Sequence, residues 1–346
     1  MKIGRRAIGT TDAPYIIAEM SANHLGDFER AVRIVEAAAA AGADAVKLQT
    51  YTADTITIDH DGPGFVIDGG LWNGERLYDL YRRASTPWEW TRPLMERGRE
   101  LGIAVFSSPF DPTAVAFLDE CDVPAIKIAS CECVDLPLIR LAAETGRPII
   151  LSTGMANQEE IGEAVATVRA AGNRNLVLLH CVSGYPTPAG ESCLRTIPDM
   201  AQTFGCTVGL SDHTLGTAVP VAAVALGAVM IEKHFTLARA DGGPDAAFSL
   251  EPDELRRLVA DTTTAWQALG AADYGIKESE RGTAIFRRSL YIVRDIAAGE
   301  ALTPENCRSI RPGYGLAPKH LPEVLGRRAA ADIEKGTPLA WAMLEP

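Results

Sequence analysis

The stretch Gly209-Leu-Ser-Asp-His-Thr214 decides the fold prediction, together with Ile231-Glu-Lys-His-Phe235 about twenty residues further along the chain. Each stretch follows or continues a short apolar run that is typical of a buried strand, so each places a histidine just after the end of a strand. In a barrel of parallel strands the C-terminal ends of all strands surround one opening. His213 and His234 are then predicted to bind one divalent metal ion together, unless they are two unrelated polar residues in loops.

Six further apolar runs also end in polar residues, and helical patterns lie between several of them. Eight alternating units with polar residues after each strand are typical of a (β/α)8 TIM barrel, with its active site at the C-terminal face of the strands. An open, doubly wound sheet is the alternative, but no GxGxxG turn follows the first strand. The eight predicted strands end near Glu19, Lys47, Ser107, Lys127, Ser152, Cys181, Leu210 and Glu232.

The interval from Thr50 to Gly102 is longer than one helix requires. We expect a hairpin-like, extended excursion over Thr55 to Asp68 and a helical stretch that begins at Gly69-Gly-Leu-Trp72. Aromatic residues concentrate in this interval, where they either pack a helix onto the barrel or wall a sugar pocket: Trp72, Tyr78, Tyr81, Trp88 and Trp90.

The sequence pattern of the C-terminal part of the chain differs from that of the predicted barrel. The last helical pattern of the barrel covers Pro252 to Leu269, a charged stretch follows, and short alternating segments begin near Phe286. The sequence therefore predicts a catalytic barrel over residues 1–272, a linker over 273–285 and a small β-rich domain over 286–346. A β-rich domain of this size has little core of its own, so we expect it to pack on something else.

Composition narrows the class of protein. The 346 residues carry a formal net charge of −12, which argues against general binding to nucleic acid. No apolar run approaches the roughly 20 residues of a membrane span, and no signal peptide is indicated. Seven cysteines without paired CxxC spacing are typical of reduced thiols. We therefore expect a cytoplasmic enzyme that binds neither nucleic acid nor a membrane.

The polar residues at the predicted strand ends indicate an anionic substrate. Two lysines, Lys47 and Lys127, with a ring of hydroxyls suit a phosphate group, because charge and hydroxyls together satisfy its oxygens. Lys127 as a Schiff-base nucleophile is the alternative. The hydroxyls come from Ser108, Ser130, Ser152, Ser183 and Ser211, and carboxylates that could act as acids, bases or hydroxyl anchors come from Glu19, Glu132, Glu232 and Asp245.

Six stretches resemble the sialic acid synthase family, in order and along essentially the whole chain. The C-terminal segment, with Arg311-Pro-Gly-Tyr-Gly315, resembles the antifreeze-like (SAF) domain of those enzymes. The six stretches are Ile16-Ile-Ala-Glu-Met-Ser-Ala-Asn-His24, Ala43-Asp-Ala-Val-Lys-Leu-Gln-Thr-Tyr51, Lys127-Ile-Ala-Ser-Cys-Glu132, Ser152-Thr-Gly-Met155, Gly209-Leu-Ser-Asp-His213 and Glu232-Lys-His234.

The resemblance implies condensation of phosphoenolpyruvate with an amino sugar, with release of phosphate. It implies that His213 and His234 bind Mn²⁺, Mg²⁺ or possibly Co²⁺, and that Arg311 reaches the sugar from a second subunit, so that the working unit is a domain-swapped homodimer. Phosphoenolpyruvate would be held by Lys47, Ser108, Lys127, Ser130, Ser152, Ser183 and Ser211. The reacting carbons and the sugar would be surrounded by Glu19, Glu132, Glu232, Asp245, Tyr185 and Phe110.

Four stretches resemble the branch of the family that makes pseudaminic acid from a 2,4-diacetamido-2,4,6-trideoxy sugar. Ser183 stands where N-acetylneuraminate synthases commonly carry asparagine, which weakens its implied role and favours the same branch. A synthase for N-acetylneuraminic or legionaminic acid is the nearest alternative, and a carbohydrate-binding protein without catalysis is a remote one. The four stretches are Gly69-Gly-Leu-Trp72, Leu77-Tyr-Asp-Leu-Tyr81, Thr86-Pro-Trp-Glu-Trp90 and Phe106-Ser-Ser-Pro-Phe110.

Overall fold

A closed barrel of eight parallel strands confirms the predicted fold in the computed structural model, which describes all 346 residues. The chain begins with an antiparallel hairpin of β1 (Lys2–Ile3) and β2 (Arg6–Ala7). The last barrel strand pairs with the first, which closes the ring. The barrel strands are β3 (Tyr15–Glu19), β4 (Ala45–Thr50), β5 (Ala104–Pro109), β6 (Ile126–Ile128), β7 (Ile149–Ser152), β8 (Leu176–Cys181), β9 (Thr207–Asp212) and β10 (Met230–His234).

At least one helix follows every barrel strand. The connection after β4 holds three helices, and each of the other connections holds one. The helices are α1 (Phe28–Ala41), α2 (Ala53–Ile56), α3 (Leu77–Ala84), α4 (Thr91–Leu101), α5 (Pro112–Glu120), α6 (Leu136–Glu144), α7 (Gln158–Ala170), α8 (Thr196–Phe204), α9 (Ala218–Ala225) and α10 (Pro252–Leu269).

Local sequence explains where these elements begin and end. The side chain of Asp27 accepts hydrogen bonds from the first turn of α1, and Gly42 ends that helix with a φ of 91°. The barrel strands are rich in Ile, Val, Leu and Ala because they pack against helices on one side and each other's side chains on the other. The main hydrophobic core accordingly lies inside the barrel and between the strands and the helices.

The excursion after β4 differs from the prediction at two points, the first being that Thr55 and Ile56 belong to the short helix α2 (Ala53–Ile56) and are not extended. Residues 65–67 and 75–77 form a small antiparallel hairpin, and the predicted helical start at Gly69-Gly-Leu-Trp72 is a turn at its tip. The reason is backbone geometry, since Gly69 and Gly70 have φ values of 87° and 72°, which a right-handed helix does not contain. The helix begins later, at Leu77.

The chain divides into two compact units, Met1–Gly270 and Ala271–Pro346. The second unit contains β11 (Ser289–Ile292) paired antiparallel with β12 (Cys307–Ile310), and the four-residue helix α11 (Leu321–Val324). Isolated bridges extend the β structure, and the unit has its own small core around Leu290 and Ile292. These features agree with the predicted β-rich SAF domain.

All seven cysteines are free thiols, and none is paired in a disulfide. Four of them are buried, as expected for structural thiols, whereas Cys131 and Cys193 are exposed. No helix combines the length and the apolar character that a membrane crossing requires.

Gly209 in β9 packs closely against the neighbouring strands β8 and β10. A Cβ added there would lie 2.5 Å from the carbonyl oxygen of Met230 and 2.7 Å from Leu179 Cδ2. Because one of these atoms belongs to the backbone of the neighbouring strand β10, the barrel wall itself would have to move. The absence of a side chain at Gly209 is therefore a packing requirement.

We expect the substitution Gly209→Ala to lower the free energy of unfolding by about 1–3 kcal/mol or more, through overpacking. Urea-induced unfolding, followed by circular dichroism, measures this change. The control is Gly190→Ala, because no atom lies within 4 Å of an added Cβ at Gly190. Equal stability of the two variants would contradict the packing argument.

Candidate functional site

A cavity of about 550 Å³ opens at the C-terminal ends of the barrel strands. Barrels of this kind place their active sites at this face. The cavity brings together fourteen of the sixteen residues predicted as a site. They are Glu19, Lys47, Phe110, Lys127, Ser130, Glu132, Ser152, Ser183, Tyr185, Ser211, His213, Glu232, His234 and Asp245.

Two predicted residues do not line the cavity. Ser108 is fully buried at the end of β5, and its hydroxyl has no hydrogen-bond partner. Arg311 belongs to the second compact unit, where it follows β12 and its side chain is exposed. The roles assigned to both residues stay predictions.

The floor of the cavity is a network of four buried charged side chains that come from four strands. Lys47 Nζ lies 3.0 Å from Glu19 Oε2 and 3.2 Å from Glu232 Oε1. Lys127 Nζ lies 3.6 Å from the same oxygen of Glu232. Ser211 donates a hydrogen bond of 3.2 Å to it as well. Each cation is thus balanced by a carboxylate, as burial of charge requires.

The network shifts the pKa values of its members in different directions. Burial, together with repulsion from Glu232, raises the pKa of Glu19 to about 7. Burial also acts to raise the pKa of Glu232, but the positive charges of Lys127 and Lys47 outweigh burial, so the pKa of Glu232 is lowered. Burial lowers the pKa of Lys127, whereas the two carboxylates beside Lys47 overcome burial and raise its pKa. Glu19 is therefore the member of the network that can exchange a proton near neutral pH.

Glu132 is a second carboxyl that titrates near neutrality. It lies in the short helical turn after β6, and burial raises its pKa to about 7. Its Oε2 atom is buried without a hydrogen-bond partner. By contrast, Gln49 donates a hydrogen bond of 2.9 Å to Glu19 Oε1, and Lys47 contacts the other oxygen of Glu19. The Oε2 atom of Glu132 is therefore free to meet a ligand.

The two histidines lie side by side under an aromatic residue. Their ring centres are 5.4 Å apart, and the ring of Tyr185 lies 4.4 Å from that of His213. His213 Nδ1 donates a hydrogen bond of 2.9 Å to the carbonyl oxygen of Val182, which leaves the Nε2 of the neutral ring as an acceptor. Burial lowers the pKa of His234 well below its ordinary value, and its Nδ1 has no partner.

These features fit a divalent metal ion. Metal-binding histidines are neutral and commonly donate their second ring N–H to a backbone carbonyl, as His213 does. No group of three His, Cys, Asp or Glu side chains is arranged to bind a metal. The protein would therefore supply two nitrogen ligands, from His213 and His234, and leave the other coordination positions to substrate or water.

The outer part of the cavity is apolar, and most of it was not predicted as a site. Ile67 and Trp72 come from the hairpin of the excursion, and Trp72 Nε1 donates a hydrogen bond of 3.1 Å to the carbonyl oxygen of Pro244. Ile56, Leu80 and Phe110 complete this apolar wall. Hydrophobic periodicity does not predict these contacts, because they depend on how a long connection folds back over the barrel.

A (β/α)8 barrel with balanced charges buried at the C-terminal ends of its strands is typical of an enzyme. Comparison with known proteins identifies the enzyme family. Residues 34–274 match the NeuB family, and residues 287–345 match the SAF domain. The chain belongs to the NeuB family and is an enzyme of the sialic acid synthase type.

Two relatives and one solved structure show how similar the chain is to known proteins. The chain is 43% identical to a pseudaminic acid synthase of Campylobacter jejuni, over 98% of each chain. It is 34% identical to an N,N'-diacetyllegionaminic acid synthase of Legionella pneumophila, over 99% of this chain and 98% of the relative. The crystal structure of an N-acetylneuraminic acid synthetase from Leptospira borgpetersenii has a TM-score of 0.73 and 33% identity, and covers 82% of this chain and 94% of that chain.

The raised pKa of Glu132 predicts a pH-dependent effect on stability. The folded protein keeps this proton up to about pH 7, whereas an ordinary glutamate loses it near pH 4.5, so stability falls as pH rises between these values. The substitution Glu132→Gln removes this penalty. Its stability relative to the unsubstituted protein should increase from pH 4.5 to pH 7, by on the order of 3 kcal/mol, and stay constant above.

Urea-induced unfolding at pH 5, 6, 7 and 8 measures the difference. Glu163→Gln, on the exposed face of α7, controls for the loss of one acidic residue. A difference between Glu132→Gln and the unsubstituted protein that does not change over this range would show that the carboxyl is ionised throughout.

Proposed function

We propose that the protein condenses phosphoenolpyruvate with 2,4-diacetamido-2,4,6-trideoxy-L-altrose and water to give pseudaminic acid and phosphate. The observation that carries the proposal is the division of one cavity into a cationic floor and an apolar outer wall. The floor suits a phosphorylated carboxylic acid, and the wall suits a sugar that has lost hydroxyls. The 43% identity to the Campylobacter jejuni pseudaminic acid synthase supports the same choice.

The floor provides what a phosphate and a carboxylate need. Lys47 and Lys127 are two cations within reach of one ligand, and both line the cavity. Ser152, at the end of β7, has a buried hydroxyl without a partner, which is ready to donate to a ligand oxygen. Ser130, Ser183 and Ser211 line the same region. Charged and neutral donors together can satisfy the oxygens of phosphoenolpyruvate.

The apolar wall favours the deoxygenated sugar over N-acetylmannosamine. The proposed substrate carries a methyl group at C6 and two acetamido methyl groups, which can bury apolar surface against Ile67, Trp72 and Phe110. N-acetylmannosamine has a hydroxyl at C6, and a hydroxyl buried without a partner costs about 1–3 kcal/mol. The wall therefore discriminates at C6, whereas the configuration of the ring carbons depends on polar contacts.

The reaction forms a bond between C3 of phosphoenolpyruvate and the aldehyde carbon of the open-chain sugar. The aldehyde oxygen takes up a proton and becomes a hydroxyl, while C2 becomes electron-poor and adds the oxygen of water. Loss of the water protons and cleavage of the bond between C2 and the phosphate oxygen release phosphate and leave a ketone. Glu19 and Glu132, with pKa values of about 7, can move these protons, and Lys47 and Lys127 stabilise the departing phosphate.

A divalent ion such as Mn²⁺ would be held by His213 and His234. When bound, it would supply Lewis-acid polarisation of the aldehyde. The side chain of Tyr185 packs against both histidines and would limit the access of water to this position. Asp245, which accepts a hydrogen bond from the backbone N–H of Ala22 at 3.3 Å, would orient a sugar hydroxyl.

We expect phosphate release only when the protein is incubated with phosphoenolpyruvate, a divalent metal ion and the altro-configured diacetamido sugar. N-acetylmannosamine and the sugar precursor of legionaminic acid are the matched alternatives, and turnover should be at least about 100-fold lower with each. Coupled phosphate detection with mass spectrometry of the product measures the outcome. Turnover of N-acetylmannosamine instead would overturn the choice of sugar, and borohydride trapping at Lys127 would overturn the reaction class.

The resemblance of the second unit to a SAF domain supports a further part of the proposal. We propose that Arg311 binds the sugar in the site of a second copy of the chain, within a domain-swapped homodimer. Its guanidinium is exposed and free to bind an acyl oxygen. Arg311→Ala should then raise the KM of the sugar about 10-fold and leave that of phosphoenolpyruvate within about twofold. Steady-state kinetics with each substrate varied separately measures this, and equal changes would contradict the role.

A further inference from the structure

The residue that precedes each histidine is charged, buried and paired with the other. Asp212 precedes His213, Lys233 precedes His234, and the two charged residues lie directly opposite each other in the register of β9 and β10. Lys233 Nζ lies 2.5 Å from Asp212 Oδ2. Asp212 is 3% exposed and Lys233 is 2% exposed, so the pair is shielded from water and its Coulomb attraction is screened less than that of a surface ion pair.

The same two side chains also fix the turn that carries His213. Asp212 Oδ1 accepts the backbone N–H of Thr214 at 3.0 Å, and its other oxygen accepts the Thr214 hydroxyl at 3.1 Å. Lys233 Nζ also donates to the carbonyl oxygen of Thr214. His213 is therefore the middle residue of a turn whose two ends are both bonded to Lys233, on the strand that carries His234.

Neither charged residue touches the cavity. Side chains alternate between the two faces of a strand, so a strand that directs a histidine toward the mouth directs its neighbour away from it. The lining of the cavity accordingly includes both histidines and neither Asp212 nor Lys233. Any effect of the pair on a bound ligand must pass through the position of the histidines.

We propose that the buried pair of Lys233 and Asp212 is a positioning device, which sets the separation and direction of the two imidazoles and so the affinity for a divalent cation. The inference rests on the metal site of the proposed function. The alternative is that the pair only stabilises the fold. Partners that orient metal ligands typically change metal affinity by about 10–100-fold when removed, so the two possibilities differ by a measurable amount.

The decisive variant removes both charges at once. Removing Lys233 alone leaves a buried carboxylate without its cation, which destabilises a protein strongly, whereas replacing both partners avoids that penalty. The double variant Lys233→Met with Asp212→Asn keeps an oxygen to accept the N–H of Thr214 but cannot tie the turn to β10. This double variant therefore tests the positioning of His213 without leaving a buried charge unpaired.

The matched control lies at the opposite end of the barrel. Arg6 forms an ion pair with Asp44, and Asp44 Oδ2 also accepts the backbone N–H of Ile16 at 2.8 Å. The double variant Arg6→Met with Asp44→Asn therefore loses an ion pair and retains a backbone bond in the same way. It should leave the binding of Mn²⁺ within about twofold of the unsubstituted protein, because no histidine depends on it.

The experiment titrates each full-length protein with Mn²⁺ and follows the free ion by electron paramagnetic resonance. We expect the Kd for Mn²⁺ to rise at least about 10-fold in the Lys233→Met, Asp212→Asn variant, with the Kd of phosphoenolpyruvate unchanged within about twofold. Unchanged affinity for Mn²⁺ in this variant would overturn the proposal. If the variant does not fold, Thr214→Val decides, since it removes one bond to Asp212: weaker Mn²⁺ binding supports the proposal, and unchanged binding overturns it.

His234→Ala separates the positioning role from the metal site itself. If the unsubstituted protein and His234→Ala bind Mn²⁺ equally, the proposed metal site is wrong, and the positioning role is wrong with it. If His234→Ala loses binding while the charge-free variant retains it, the metal site stands and only the positioning role is wrong.

Discussion

The balance of four buried charges at the barrel floor is the constraint on which the rest of the site depends. Charged groups taken out of water destabilise a fold unless each has a partner, and here Glu232 is shared by both lysines. The four groups reach each other only because β3, β4, β6 and β10 belong to one closed ring. The charge network is therefore complete only when the barrel is closed.

The same balance prepares the floor for an anion. Lys47 is engaged by two carboxylates, so an arriving phosphate competes with Glu19 and Glu232 for it. Because burial raises the pKa of Glu19 to about 7, Glu19 can take up a proton near neutral pH and give up its share of Lys47 as a neutral carboxylic acid. Proton uptake by Glu19 thus lowers the negative charge that a phosphate would meet at the floor.

The fold was predictable because polar residues mark the end of each apolar run that forms a barrel strand. Residues such as Lys127 and Ser152 follow apolar runs directly, and the eight predicted ends agree with the eight observed strands. The excursion was less predictable, since its hairpin depends on pairing between residues 65–67 and 75–77 around glycines whose φ values no pattern of hydrophobicity reveals. Local periodicity carries no information about such a fold-back.

The residues of the site also differ in how well the sequence predicts them, depending on whether they lie on a barrel strand or on the long connection. Gln49 could have been predicted from the sequence, because it lies two residues after Lys47 on the same strand and its side chain therefore points to the same face as that of Lys47. Ile67 could not have been predicted in this way, because it reaches the cavity through a connection of no regular period, whereas Trp72 was predicted only as one of five aromatic residues that could wall a sugar pocket. Most features carried by barrel strands were thus predictable by residue, with Ser108 as an exception, and features carried by the long connection were predictable only by composition.

The alternation of faces along β10 has a consequence for how the chain tolerates changes in length. Deleting one residue before Glu232 would turn Lys233 toward the mouth and His234 toward the outside, so the proposed metal ligand, the charge network and the ion pair of Lys233 with Asp212 would all be lost together. An insertion at the tip of the hairpin around Gly70 lengthens a surface turn and leaves every strand in register. The spacing of residues within the strand motifs is therefore fixed, whereas the length of a surface turn between strands can change without altering the register of the barrel.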